Sequence, residues 1–517
     1  MDYRKNYIKI YFWQTISVLL GFAALFVVVP YISSNKIVYG IYSVCTSLTI
    51  FFSYADLGFL SSGVKYAAEY YVRGEHREEM RIIGFTSFIM VSVFAILALG
   101  IVVLGVFPKL LIPELAAGSE QMSIARWLLF TLAISCPVII GQRLMNLVFS
   151  IRVEDYKYQR MNIIGNVIRI LSVLFFFGGG RYMIVEYFIF YQFVNFAVVV
   201  SALLYARKHY GYGIKEFLRT FYFDREIFNK VKGLTGASLI MMISSVVYYE
   251  FDQVVISNLI GIEAVATYAV ALSALQLVRT FCAIIYSPYT SRFNHFAGLN
   301  DYSGLTSFVN KMITLFAPII IVPILTLSIL ATPFVISWVG EQYRESGILV
   351  SFLVLSFVYN YFREPINQYF VATENYSVLV KYNIITPIVF WLGIMIMMSF
   401  WETKAFAIMK FIAPAFGAIS YLFLANNDFC RRGYHFINIW LFLKTLLIPI
   451  VLTVVFSFLF SHWMIEEFSR QALLLNIFIL VCSVLASIIL TIPFNDVLKS
   501  EVLLYTNKWK NMIKNEV

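Results

Sequence analysis

Four arginines lie inside long apolar segments of the sequence, and their chemistry is the first clue to what the chain does. They are Arg143, Arg169, Arg279 and Arg363. An ionisable side chain at bilayer depth costs at least about 2.5–3.5 kcal/mol, so it usually faces a cavity or a partner. A guanidinium stays charged at any depth and binds phosphate oxygens through paired donors. A single interior arginine would fit a structural ion pair, but four favour a site for a phosphate-bearing anion.

The depths of these arginines predict a layer. Counted from the cytoplasmic end of its predicted span at 1.5 Å per residue, Arg143 lies at about 10 Å. Arg169, Arg279 and Arg363 each lie eight residues from that end, at about 12 Å. Two belong to each half of the chain. We expect the four to bind one anion from both halves.

Carboxylates accompany the arginines in the apolar segments: Asp56, Glu250, Asp252 and Glu364. Glu250 and Asp252 point about 200° apart on a helix, so at most one faces a central cavity. We expect Asp252 to face that cavity or to pair with an interior arginine, and to titrate or bind a coupling cation, H⁺ or Na⁺. The alternative is a helix-capping or interface carboxylate. The histidines show no metal-ligand spacing, so no metal or other cofactor is expected. Lys410 and Lys444 lie close enough to span ends to snorkel.

The elements that position these side chains are membrane spans. Of 517 residues, 60% are hydrophobic and 13% are charged, with a mean hydropathy of +0.80. This composition excludes a soluble enzyme, a disordered chain and a nucleic-acid-binding domain. It predicts an all-α polytopic membrane protein with about 14 transmembrane helices. The predicted spans are 10–32, 38–61, 82–107, 126–150, 161–177, 184–206, 234–257, 264–287, 312–332, 347–371, 384–400, 405–425, 439–461 and 471–493.

The distribution of Lys and Arg predicts the orientation. With the N-terminus in the cytoplasm, the inner segments carry about four times as many basic residues as the outer loops. Both termini are therefore expected on the cytoplasmic side of the plasma membrane. The predicted domains are an N-lobe with six spans (1–206), a cytoplasmic amphipathic linker (207–233), a C-lobe with six spans (234–425), and two further spans with a cytoplasmic tail (426–517).

A weak internal repeat favours two related lobes. A shift of 226 residues aligns Tyr42, Val44 and Ser47 with identical residues in the eighth span. The shift spans six helices, an even number, so the repeats would run parallel about a pseudo-two-fold axis along the membrane normal. Such lobes are typical of alternating-access transporters. With three matches, chance remains the alternative.

Two segments resemble the Wzx-type flippases of O-antigen and capsule repeat units. The first carries Tyr39–Tyr42, Asp56–Phe59 and Lys65–Tyr70, and the second Asp252–Ile256, Leu259–Gly261 and Tyr268. The resemblance implies the multidrug/oligosaccharidyl-lipid/polysaccharide (MOP) fold of two six-helix lobes plus two C-terminal helices. It also implies flipping of polyprenyl-diphosphate-linked oligosaccharide through a cationic cavity, with membrane lipid and other polysaccharide-assembly membrane proteins as partners.

Other functions remain open on the sequence. A multidrug exporter of the same fold would favour acidic cavity residues, so four interior arginines argue against it. An envelope glycosyltransferase or polymerase needs a catalytic surface outside the membrane, and the loops here are short. No nucleotide-binding or hydrolase motif occurs, so an enzyme is not expected. A nontransporting membrane scaffold would tolerate alanine at the interior arginines.

Overall fold

The chain is all-helical, as its composition predicts. The computed structural model describes residues 3–49, 52, 59–229, 243–244, 246–249, 251–373, 375–436 and 439–503. Within these residues every regular element is a helix, and there is no strand. An apolar chain of this kind must satisfy its backbone within each segment, because hydrocarbon offers no hydrogen-bond partner. The predicted fold class is confirmed.

Helices long and apolar enough to cross a membrane make up most of the described chain. Eleven qualify singly, and a bent pair raises the number to 12. Two of the 14 predicted spans, 38–61 and 234–257, lie partly outside the described residues. The chain divides into two compact units, Met1–Ala269 and Val270–Val517. The predicted domain boundaries remain predictions.

Residues 225–229, 243–244 and 246–249 of the first unit are helical, and nine longer helices and the start of a tenth lie among its other described residues. They are α1 (Tyr3–Ile32), α2 (Lys36–Ser47), α3 (Phe59–Arg73), α4 (His76–Val106), α5 (Glu120–Ser150), α6 (Asp155–Phe177), α7 (Ile184–Tyr210), α8 (Ile214–Thr220), α9 (Asp252–Leu259) and α10 (Ile262–Gly298). Helix α5 packs between α4 and α7, and α6 packs on both α1 and α7.

The predicted amphipathic linker is mostly not a free surface helix. Helix α7 ends at Tyr210, and the left-handed φ of 74° at the following Gly211 suits glycine. The seven-residue α8 and the helical residues 225–229 come next. Phe217 and Phe228 pack against the apolar core of the first unit, and Phe221 meets Phe88 of α4 edge-on. Protein therefore covers part of the apolar side of this segment, while Leu218 stays 63% exposed. Residues 230–233 lie outside the described range.

The second unit is built around one buried helix. Its helices after α10 are α11 (Tyr302–Ile329), α12 (Ala331–Val339), α13 (Arg344–Leu355), α14 (Asn360–Ala372), α15 (Tyr376–Trp401), α16 (Thr403–Arg431), α17 (Ile439–Ser461) and α18 (Arg470–Thr491). Helix α11 is packed by α13, α14, α17 and α18. The two last helices thus belong to the core of this unit.

The predicted span 347–371 is broken. Helices α13 and α14 meet at 41° across residues 356–359. Backbone hydrogen bonds at the break run three residues back, from Phe357 to Val354 and from Asn360 to Phe357, which tightens the chain out of α-helix. Ser356 Oγ donates to the Leu353 carbonyl at 2.5 Å. A new helix N-terminus consequently lies inside an apolar segment.

Candidate functional site

Arg169 lies in the interior of the first unit, where neutral groups hold its guanidinium. The residue is 9% exposed. Its Nη1 donates to Asn195 of α7 and its Nη2 to Asn166, one turn earlier on α6. The guanidinium also lies 4.7 Å from the centre of the Tyr191 ring. Asn195 in turn donates to Gln192 Oε1 at 3.1 Å. The charge is thus oriented by two amides and an aromatic face.

Close packing of α6 on α7 makes this arrangement possible. Asn166 and Arg169 are three residues apart and share a face of α6. A Cβ at Gly165 would lie 2.8 Å from Val198 of α7, so only glycine lets the two helices approach this closely. The approach brings Asn195 within reach of Arg169.

No carboxylate balances this charge among the described residues. Neither Arg169 nor the half-buried Arg143 of α5 forms an ion pair there. Both act electrostatically on the hydroxyl of Tyr158, which places the two arginines in one region of the first unit. The structural ion pair that the sequence left open for a lone arginine is absent at these two positions within that range.

In the second unit, Arg363 closes the first turn of α14, shortly after the break, and Glu364 follows it. The hydroxyl of Tyr286 on α10 donates to the carbonyl of Asn360 at 2.7 Å. Charges of Arg363 and Glu364 act on Tyr286 and on Cys282 of the same helix. Glu364 accepts a hydrogen bond from Gln368 at 2.9 Å.

The half-buried Arg279 lies on the same helix, α10. Positions 279, 282 and 286 share one face of α10 by spacing. The start of α14 therefore packs against the α10 face that carries Arg279.

Asp252 is fully buried at the start of α9. Tyr268 donates its hydroxyl to Asp252 Oδ2 at 2.5 Å, and the backbone N–H of Gln253 donates to Oδ1. Asp252 is thus an interior carboxylate in the first turn of α9, where no side-chain cap is formed, and its coupling role stays a prediction. Asp56 and Glu250, the other two predicted carboxylates, lie outside the described residues.

The predicted arginine layer divides as expected between the units, with Arg143 and Arg169 in the first and Arg279 and Arg363 in the second. Helix α6 begins at Asp155, so Arg169 is 14 residues, about 21 Å, from that end. Helix ends extend beyond a bilayer, so a distance from a helix end is not a depth in the membrane. The common depth of the four arginines remains a prediction.

Comparison with known proteins assigns the chain to a family. A family model described as "Polysaccharide biosynthesis protein" matches residues 3–294, more than half of the chain. The chain belongs to the polysaccharide biosynthesis protein family. No curated protein matches the chain.

Solved structures agree on the fold of this family member. "Lipid II flippase MurJ, inward closed conformation" matches with a TM-score of 0.70 and 16% identity, covering 94% of this chain and 98% of that one. An "inward-facing conformation of a multidrug resistance MATE family transporter of the MOP superfamily" matches with a TM-score of 0.59 and 14% identity, covering 78% and 98%. The chain therefore has the MOP fold, and the resemblance seen in the sequence is confirmed at that level.

This polysaccharide biosynthesis protein also buries an arginine that the sequence did not indicate. Arg152, 4% exposed, follows α5 directly. Its Nη2 lies 3.0 Å from Glu79 Oε1, and its Nη1 donates to the Tyr212 hydroxyl at 2.7 Å. The guanidinium lies 4.6 Å from the Tyr71 ring centre, 4.5 Å from that of Tyr210 and 4.8 Å from that of Tyr212. We call these five residues the Arg152 cage.

The charge of Arg152 is balanced within the cage. Desolvation disfavours the charged guanidinium, yet the pKa of Arg152 is raised because Tyr212 and Glu79 lie against it. Burial raises the pKa of Tyr212. The Tyr212 hydroxyl itself donates to Glu79 Oε1 at 2.5 Å. Every charge in the cage has an opposite charge or a donor, so the cage ties α3, α4 and the segment after α7 together.

Lys410 is a second charged residue whose environment differs from the prediction. It was expected to snorkel from a span end, but it is 1% exposed on α16. Its Nζ lies 5.8 Å from the centre of the Phe390 ring on α15. The tight pairing of α15 with α16 covers it, including the contact of Gly393 with Met409.

Proposed function

We propose that this protein is a flippase that moves polyprenyl-diphosphate-linked oligosaccharide from the inner to the outer leaflet of the cytoplasmic membrane by alternating access. The family, whose description names polysaccharide biosynthesis, and the MOP fold support a transport role. Other membrane proteins of polysaccharide assembly are candidate partners. The expected termini are cytoplasmic.

The observation that carries this proposal is the neutral clamp on Arg169. Its partners are Asn166, Asn195 and the Tyr191 ring, and no described carboxylate neutralises it. A buried cation without a counter-ion is costly. An incoming diphosphate would supply the missing negative charge through paired N–H···O bonds, which are stronger than neutral hydrogen bonds.

The second unit offers a complementary feature. Helix α14 begins within a predicted span, and the start of a half-helix carries partial positive charge that suits an anionic group. Arg363 lies in its first turn, and the α10 face with Arg279 packs nearby. An anion bound in this unit would therefore meet both a helix terminus and permanent cations.

Asp252 is our candidate for the coupling site, with H⁺ or Na⁺ as the ion. It is fully buried, and the Tyr268 hydroxyl and the Gln253 backbone N–H donate hydrogen bonds to its carboxylate. A buried carboxylate that gains or loses a cation changes the charge of the first unit, which is the requirement for coupling transport to a gradient. Transport by the Asp252→Asn variant should lose its pH or sodium dependence. Unchanged dependence in that variant would remove Asp252 from the coupling role.

The test of the function is a reconstituted flipping assay. The purified chain is placed in proteoliposomes with a fluorescent polyprenyl-diphosphate oligosaccharide, and a membrane-impermeant quencher reports how much reaches the other leaflet. Arg169→Ala and Arg279→Ala should each slow flipping by about 10- to 100-fold, the effect of losing one charge-assisted hydrogen-bond pair. Arg169→Lys should keep part of the activity, since lysine retains the positive charge but lacks the paired donors of the guanidinium.

Arg126→Ala is the matched control, because Arg126 is exposed at the start of α5 and should leave the rate unchanged. Wild-type rates in an Arg169→Ala, Arg279→Ala double variant that is still folded would refute the proposal. Transport of a hydrophobic cation instead of the lipid-linked sugar would point to multidrug export. Activity with neither would favour a scaffold.

A further inference from the structure

A lipid-facing groove runs between the N-terminal halves of α5 and α7 in the first unit. It has a volume of about 550 Å³, within the range of small-molecule sites. Its rim includes Ile134, 79% exposed, and Phe196, 50% exposed, while Ser135 and Val199 form its buried floor. All but a few of its lining atoms are apolar. Both helices are apolar enough to cross a membrane, so the groove opens to hydrocarbon.

The groove is wedge-shaped for a physical reason. A Cβ at Gly141 would lie 2.6 Å from Val199, so α5 and α7 touch at this level. Toward the N-terminal ends of both helices, Phe130 turns to α4 and packs its ring on Gly105. Pro137 has no backbone N–H, which removes one helical hydrogen bond of α5 along the groove. The helices converge at one end and part at the other.

The groove adjoins the hydrogen-bond network of Arg169 at Gln192, about two turns of α7 before Val199 at the narrow end. Gln192 lines the groove and accepts a hydrogen bond from Asn195 at 3.1 Å, and Asn195 accepts one from Arg169. On the other side of α7, Val198 packs against Gly165, one turn before Arg169. Two hydrogen bonds thus connect the apolar groove to a buried cation, Arg169, that has no counter-ion among the described residues.

We infer that this groove holds the isoprenoid chain of the lipid-linked substrate, with the diphosphate bound toward Arg169. The inference rests on the proposed function. The groove suits a molecule that is apolar along its length and anionic at one end. Gln192 is the lining residue at which the apolar chain would join the anionic group. A phospholipid acyl chain matches the apolar part. Its headgroup, however, belongs at the bilayer surface rather than beside a cation inside the helix bundle.

Photo-crosslinking tests the occupant directly. The full-length protein carries p-benzoylphenylalanine at Ile134, on the groove rim, or at Leu171, a 60% exposed position on α6 outside the groove. Proteoliposomes contain a radiolabelled long-chain polyprenyl diphosphate. We expect labelling at position 134 well above that at 171, and competition by unlabelled polyprenyl diphosphate but not by added phosphatidylglycerol. Equal labelling at both positions, competition by phosphatidylglycerol, or a crosslinked second protein copy would each overturn the inference.

Filling the groove gives an independent measurement. Val138→Trp should weaken apparent affinity for the long-chain diphosphate by about tenfold or more, because several methylene contacts are lost. Affinity for inorganic diphosphate, which has no chain, should not change, and Leu171→Trp is the matched control. Equal loss for the long-chain diphosphate and for inorganic diphosphate would refute the assignment. Flipping that depends on Arg169 but ignores the groove would disprove this inference and leave the proposed function intact.

Discussion

Removal of Arg152 should destabilise the first unit strongly, because it leaves a buried carboxylate without its counter-ion. The Arg152→Ala variant leaves Glu79, 1% exposed, with only hydrogen-bond donors such as Tyr212 and His76 around it. Breaking a buried ion pair by removing one partner costs about 3–5 kcal/mol. Three tyrosine rings also lose a cation, at about 0.5–2 kcal/mol each where desolvated, although these terms overlap with the first. We expect a loss of at least about 3 kcal/mol in the free energy of unfolding.

The assay is equilibrium unfolding of the purified full-length protein in mixed micelles, with a double-mutant cycle. Glu79→Leu should cost a similar amount, since it leaves Arg152 uncompensated. The Arg152→Ala, Glu79→Leu double variant should be more stable than either single variant, because neither charge of the buried pair remains.

Arg344→Ala provides the comparison with an exposed ion pair. Arg344 contacts Glu341 and Glu466 at 2.5 and 2.6 Å, but all three side chains are substantially exposed. Solvent screens such pairs, and stability should hardly change. Two results would refute the reasoning: Arg152→Ala within about 1 kcal/mol of wild type, or a double variant that loses the sum of both single losses.

Three further predictions concern packing, acid stability and topology. A Cβ at Gly84 would lie 2.3 Å from a side-chain oxygen of α8, so Gly84→Ala should cost about 1–3 kcal/mol of stability in the same unfolding assay. Gly100→Ala, in open space on the same helix, should be neutral or stabilise by up to about 1 kcal/mol. Burial acts to raise the pKa of Asp224, but hydrogen bonds from an arginine and from backbone N–H groups hold it below the ordinary 3.8. Its contribution to stability is present above that pH and lost as pH falls through the folded-state pKa, and Asp224→Asn should flatten the acid limb of a stability–pH curve. A cysteine at Ala117 should react with an impermeant reagent on intact cells and one at Lys215 should not; the reverse pattern would invert the expected orientation.

Hydropathy predicted the helices well because a membrane span depends on the composition of one contiguous segment. Helix α18, for example, runs from Arg470 to Thr491 where 471–493 was predicted. The break between α13 and α14 escaped prediction, since residues 356–359 are as apolar as their neighbours and the break rests on local hydrogen bonds. Window averages carry no information about such bonds.

Partners distant in sequence explain what was missed at the site. Arg152 follows a predicted span by two residues, where a basic residue reads as an ordinary loop charge. Its counter-ion, Glu79, lies 73 positions earlier, and the rings around it come from α3 and from residues 210–212. An acidic residue just before an apolar run, as Glu79 is, was the available signal. Arg169 could be found because its unusual feature, a charge in an apolar segment, is local.

The two best-defined buried arginines of the first unit differ in how their charge is balanced, and that difference separates a structural role from a functional one. Arg152 faces Glu79 and three tyrosine rings, so its charge is compensated within the folded chain. Arg169 is oriented equally firmly by Asn166 and Asn195, yet these amides contribute no negative charge. An ion pair would stabilise Arg169 more cheaply than this arrangement does. A fixed orientation with no counter-ion among the residues that the structure describes is what a binding site for an anion needs, because a carboxylate partner would have to be displaced before a diphosphate could enter.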